Sequence, residues 1–171
     1  MPMNAEELRA LQAPLKQQYR ADPRSALITS RVEVALDPVL LTARLDSGAP
    51  RFAGLHRATG GTGDAACSAD LLLEALAACA GVTLLAVATS SGIELAGGRV
   101  IAEGAWDARG TLAVDKTVPV GMRDIAITFD LETSADRSEL DRLLKATERY
   151  CVILATLQQA SRVTVNLKSA L

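Results

Sequence analysis

Ser68-Ala69-Asp70-Leu71-Leu72-Leu73-Glu74-Ala75-Leu76-Ala77-Ala78-Cys79-Ala80-Gly81 reads as the head of a long helix. Ser68 stands where an N-cap belongs, and Asp70 in the first turn favours the positive end of the helix dipole. The helix runs to about Ala88, and Gly92 closes it. Ala77 to Gly81 are all small residues, where a core helix would ordinarily carry Leu or Ile. Small side chains let a neighbouring element approach closely, which leaves the Cys79 sulfur at a packed yet accessible seam. The stretch from Ala75 to Ile93 is free of charge. Its solidly apolar part, about 14 residues, fits a buried core helix better than a membrane span, so no membrane partner is expected.

Upstream, Asn4-Ala5-Glu6-Glu7 has the pattern of a capping box, and Leu8, Leu11 and Leu15 follow at helical spacing. Pro14 is expected to break or restart this helix, and Asp22-Pro23 to end it. From Ala26 to Leu36 the chain alternates, with Ile28, Val32, Val34 and Leu36 on one face and Thr29, Arg31 and Glu33 on the other. That period of two predicts a half-buried strand. Asp37-Pro38 turns the chain into a second strand over Val39 to Leu45, and a third lies near Arg51 to His56, so the opening reads as a β-meander. Residues 1–25 form an N-terminal helical segment and 26–171 a single domain.

Downstream of the long helix a second meander is expected, with strands at Arg99 to Trp106, Thr111 to Val114 and Asp124 to Leu131. Asp136 and Glu139 mark another helix start, and Leu140, Leu143, Leu144 and Thr147 make its apolar stripe. Cys151 to Ala160 reads as a further helical segment, and Val163, Val165 and Leu167 as a closing strand. Runs of strands alternating with runs of helices define an α+β class and disfavour a doubly wound parallel sheet.

Apolar residues make up 49% of the 171 residues but aromatic ones only 3%, so the core must be built from Ala, Val, Leu and Ile, and binding by aromatic stacking is disfavoured. Eighteen basic against twenty acidic residues, with no basic stripe, argue against nucleic acid as a partner. The first twenty residues lack the apolar run of a secretory signal, so a cytoplasmic location is expected. In that compartment Cys67, Cys79 and Cys151 are either inert core residues or redox chemistry. Cys151 follows Thr147-Glu148-Arg149-Tyr150. If the helix breaks there, its thiol meets the free backbone N–H groups of a new helix, which favour the thiolate. Cys67 reads as a small loop residue or an additional redox partner. His56 is the only histidine and has no ligand-spaced partners, so neither a metal site nor a cofactor is expected. Gly60-Gly61-Thr62-Gly63 lacks the Lys-Ser/Thr ending of a phosphate-binding loop and reads as a flexible loop.

The segment Ser68 to Cys79 resembles the first-cysteine helix of the OsmC/Ohr family, and Glu148-Arg149-Tyr150-Cys151-Val152 resembles its second-cysteine motif. The order of elements from Ala26 to Leu171 agrees as well. The resemblance implies two antiparallel β-meanders around a long central helix in an intertwined homodimer. It also implies reduction of hydroperoxides, with Cys79 peroxidatic, Cys151 resolving and an external dithiol as reductant. The family's activating Arg comes from the N-terminal meander, where Arg31, Arg44 and Arg51 lie. The family carboxylate ten positions before the first cysteine is replaced here by Ala69. That departure leaves open an alternative on the same fold, a non-catalytic small-molecule binding protein with a degenerate site. A purely structural role for both sulfurs also stays open.

Overall fold

The computed structural model describes residues 5–38, 42–45, 53–63, 66–159 and 161–167. The chain opens with helix α1 (Ala5–Ala21), which passes through Pro14 unbroken. The expected break is absent because Pro14 and Ala10 both lie on the solvent side. The carbonyl deprived of its helical partner can be hydrated there. Asp22 then ends α1 and caps a single 3-10 turn, its side chain accepting the Arg24 N–H at 3.0 Å.

Four strands form one antiparallel sheet: β1 (Leu27–Asp37), β2 (Thr42–Leu45), β5 (Gly97–Asp107) and β6 (Arg123–Glu132), in the order β2-β1-β5-β6. β1 and β5 are long and pair from Leu27 with Asp107 to Ala35 with Arg99. The two predicted meanders are therefore two hairpins merged into one sheet. Among the described residues of the predicted strand near Arg51 to His56, none joins it. Of that stretch, β3 (Ala53–Gly54) pairs in parallel with β4 (Ala66–Cys67) in a separate two-stranded ribbon. A 3-10 turn at Arg57–Thr59 lies in the connection between the two strands.

The strand predicted over Thr111 to Val114 is also absent. In its place Asp107 caps the short helix α3 (Ala108–Thr111), its carboxylate accepting the Arg109 N–H at 2.9 Å and binding the Arg109 guanidinium at 2.7 Å. The guanidinium holds the Asp107 carboxyl below the usual carboxylate range, against the opposing effect of burial. Gly110 is required at the centre of this turn, since a Cβ there would lie 2.8 Å from the Val118 carbonyl oxygen.

Helix α2 (Ser68–Ser91) lies across the sheet and matches the predicted helix, except that its N-cap is Cys67, one residue before Ser68, with no side-chain cap bond. Gly92 ends it in the left-handed conformation (φ 68°), and its N–H and that of Ile93 close on the last carbonyls. Leu73, Leu76, Ala77, Ala80, Leu84, Leu85 and Ala88 are buried, and their spacing of three and four traces one helical face. That face packs on Val100 and Ala102 of β5 and on Leu143. α2 is long and apolar enough to cross a membrane by length and composition, yet its buried face belongs to this core.

A second cluster, Tyr19, Ala26, Trp106, Ala108 and Leu112, fastens α1 to the sheet end. The Tyr19 hydroxyl donates to the Ala58 carbonyl at 2.7 Å and Gln12 donates to the Thr59 carbonyl at 3.1 Å. α4 (Arg137–Tyr150) begins with the expected capping box, in which Asp136 accepts the Glu139 N–H and Glu139 accepts the Asp136 N–H. α5 (Val152–Gln158) follows after a single residue, Cys151. The predicted closing strand does not form within this chain. Val163, Val165 and Leu167 have no regular secondary structure and are 82%, 92% and 92% exposed.

Candidate active site

α4 and α5 do not continue into each other because Cys151 adopts an extended conformation (φ −73°, ψ 108°). It serves both helices. Its N–H donates to the Thr147 carbonyl at 2.9 Å, and its carbonyl accepts the Ala155 N–H at 2.9 Å. The break leaves the first N–H groups of α5 without helical acceptors. Both helices pack on α2, so these donors meet the middle of α2, where the small residues Ala77 to Gly81 permit the approach.

Cys79 and Cys151 are brought together there. Their thiols are within hydrogen-bonding reach of each other, and both are free. Cys79 is half-buried and Cys151 is fully buried. Burial pushes the Cys79 thiol up. The backbone N–H of Ile153, the Cys151 thiol, the N–H of Val152 and the Thr83 hydroxyl all favour its thiolate and outweigh burial, so it titrates below an ordinary thiol. Cys151 moves the opposite way. Burial raises it and the adjoining Cys79 raises it further, while the N–H groups of Leu154 and Ile153 only partly offset this. The fresh helix start expected at Cys151 therefore exists, but it favours the thiolate on Cys79.

Thr83 is a site residue that the sequence reading missed. It lies four positions after Cys79, one turn along the same face of α2, and that spacing could have flagged it. The donors from Val152 and Ile153 carry no sequence signal, because they are main chain. Outside the pair, a cavity of about 380 Å³ lined by Arg149, Tyr150, Cys151 and Val152 opens beside the second sulfur. Arg149 stacks over the Tyr150 ring at 5.6 Å.

The remaining candidates lie elsewhere or outside view. Cys67 sits at the N-terminal end of α2, and about 16 Å of helical rise separates Ser68 from Cys79 in the middle of that helix. Ala69 occupies the first turn of α2, at that same far end. Arg31 and Arg44 lie on β1 and β2, but their side chains, and the whole of Arg51, are outside the described residues. His56 accepts the Ala58 N–H on Nδ1 at 3.0 Å and meets Trp106 edge-on. Among the described residues no three His, Cys, Asp or Glu side chains gather in a way that could hold a metal ion.

The opposed shifts give an expected order of reaction. Alkylation of the reduced protein with iodoacetamide, resolved by peptide mass spectrometry over a pH series, should modify Cys79 with a midpoint below the ordinary thiol value of about 8.5 and Cys151 with one above it. A thiolate needs a pH above its pKa, so near neutrality Cys79 should react first. The reverse order would contradict the hydrogen-bond assignment.

Over residues 61–166 the sequence matches the OsmC-like protein family, and the chain belongs to that family. No curated protein sequence matches it. The fold is similar to the crystal structure of an OsmC-like hydroperoxide resistance protein from Jannaschia sp. CCS1, with a TM-score of 0.62 over 84% of this chain and 95% of that one. At 17% identity this likeness concerns the fold.

Proposed function

We propose that this protein is a cysteine-dependent hydroperoxide reductase, with Cys79 as the attacking thiol and Cys151 as the resolving one. The observation that carries the reading is the shared site at the α4–α5 break. There one sulfur is favoured as thiolate by main-chain N–H groups and touches a second sulfur held as thiol. A peroxidatic centre needs a nucleophile that is ionised near neutrality beside a thiol that is not consumed first. The solved OsmC-like protein of similar fold is named for hydroperoxide resistance, which agrees with this chemistry.

In the first step the Cys79 thiolate attacks one oxygen of the O–O bond. That bond breaks, and the alkoxide takes a proton and leaves as an alcohol, or as water when the substrate is hydrogen peroxide. Cys79 becomes a sulfenic acid. Its oxidation also removes the thiolate whose charge and hydrogen bond helped to keep Cys151 protonated. Cys151 then ionises more readily and attacks the oxidised sulfur, forming the disulfide and releasing water. An external dithiol reduces the disulfide by exchange and leaves as its own disulfide. Such a donor fits a cytoplasmic setting.

The acting unit is a homodimer on this reading. Leu71, Ala75, Val82 and Ala86 expose a second apolar stripe on α2, opposite its buried face. Beyond α5 the exposed alternation of Val163, Val165 and Leu167 has the pattern of a strand without a sheet. A second copy could cover both, which is the intertwined arrangement.

The test is direct. One equivalent of cumene hydroperoxide added to the reduced protein should produce a Cys79–Cys151 disulfide, seen by mass spectrometry as the loss of two hydrogen atoms and a linked peptide. Added dithiothreitol should restore both thiols and sustain peroxide consumption. Thiols that stay reduced while the peroxide persists would refute the proposal and favour a binding protein on the same fold.

A further inference from the structure

Helix α5 is lightly held. It spans seven residues, none of them fully buried, and its Ile153 and Leu154 pack on the main core while staying partly exposed. A helix this short is marginal by itself in water, so its direction depends on what fixes its two ends. Cys151 fixes the first, through its bonds to Thr147 and Ala155. The last residue of α5 supplies the second: Gln158 Nε2 donates to Glu148 Oε1 at 3.1 Å, back across the corner to α4. Among the described residues this is the one side-chain hydrogen bond that joins the two helices, since those of Thr147 and Thr156 stay within their own.

Glu148 goes against the local preference at its position. It stands in the last turn of α4, where the negative end of the helix dipole disfavours a carboxylate. Its side chain finds its partner on α5 instead. Departures of this kind concentrate where a residue serves a site.

The pair is placed to act as a brace. From Val152 to Gln158 α5 rises about 9 Å, so a swing of about 15° at the corner would carry Gln158 about 2 Å away and break the bond. The Val152 and Ile153 N–H groups lie beside the pivot and hardly move, but they turn through the same angle. Their hydrogen bonds to Cys79 depend on that aim.

We propose that Glu148 and Gln158 are positioning residues, whose hydrogen bond holds α5 at the angle that aims the Val152 and Ile153 N–H groups at the Cys79 sulfur. They act through α5 and not on the sulfur itself. The proposal deepens the reductase reading and rests on it for the use to which the thiolate is put.

The test follows iodoacetamide alkylation of the full-length protein over a pH series, reading the Cys79 midpoint separately from the plateau rate at high pH. Both side chains are exposed, so the variants should fold as the parent does. Glu148→Ala and Gln158→Ala should each raise the Cys79 midpoint by about half a unit, a thiolate population about threefold smaller below it, as partial loss of two hydrogen bonds predicts. The plateau rate should be that of the parent, because the thiolate once formed is equally accessible. The double variant should match either single one, since both lose the same bond. Glu148→Gln, whose amide oxygen still accepts from Gln158, should keep the parent midpoint. A carboxylate acting by its charge alone would give the opposite sign in Glu148→Ala, because its removal favours the thiolate.

A midpoint that stays or falls in the two Ala variants would overturn the proposal. So would shifts that add in the double variant, or a Glu148→Gln that moves as far as Glu148→Ala. No peroxide enters the test. Thiols inert to peroxide would therefore sink the reductase and leave this brace standing, and an unmoved midpoint would do the reverse.

Discussion

Cys151→Ser is expected to leave the first oxidation intact and to stop the cycle there. The variant retains Cys79 and the N–H groups of Val152 and Ile153, so the thiolate still forms and one equivalent of hydroperoxide is still consumed. With no second sulfur in reach, Cys79 should accumulate as sulfenic acid, trappable with dimedone and overoxidised by excess peroxide. Steady-state consumption with a dithiol should fall sharply, because the donor must then reduce the sulfenic acid directly. Cys79→Ser should lose even the first equivalent and fall to the rate of the protein-free reaction. A dimedone adduct on Cys151 in the parent protein, or undiminished turnover in Cys79→Ser, would assign the chemistry the other way round.

Leu76→Ala should lower the stability of the fold by about 2–5 kcal/mol. Leu76 is fully buried on the face of α2 that packs on β5 and α4, and truncation there leaves a cavity that a rigid helix on a sheet cannot easily close. Against a total of about 5–15 kcal/mol this is a large fraction, and urea unfolding followed by circular dichroism should show a much lower midpoint. Leu144, 36% exposed on α4, gives the contrast, since Leu144→Ala should lose well under half as much. Equal losses at the two positions would mean that the α2–sheet contact is not the principal core.

Much of this core could be read in the sequence because it depends on periodicity. The spacing along α2, the alternation in β1 and at Ile125, Ile127, Phe129 and Leu131 of β6, and the Asp136/Glu139 capping box are local patterns. The failures have equally local causes. Asp107 and Gly110 convert a predicted strand into a capped turn, because a carboxylate that binds both the N–H and the guanidinium of Arg109 outweighs the β-propensity of Thr111 to Val114. β3 is too short to carry a pattern, and its parallel partner β4 lies beyond a loop. Within the site, the sequence pointed to the two cysteines. It could not show that the α4–α5 break directs its donors to Cys79, since that depends on how α2 sits against the break.

The hydrogen bonds from Val152 and Ile153 to Cys79 bear on how such a centre could drift during evolution. Main-chain donors are indifferent to the side chains that carry them, so position 152, whose side chain is exposed, can exchange residues as long as the bend at 151 persists, whereas Ile153 also packs against the core. Proline alone would delete a donor. A centre sustained in this way draws much of its acidity from the corner between two helices, with the Cys151 and Thr83 side chains adding to it.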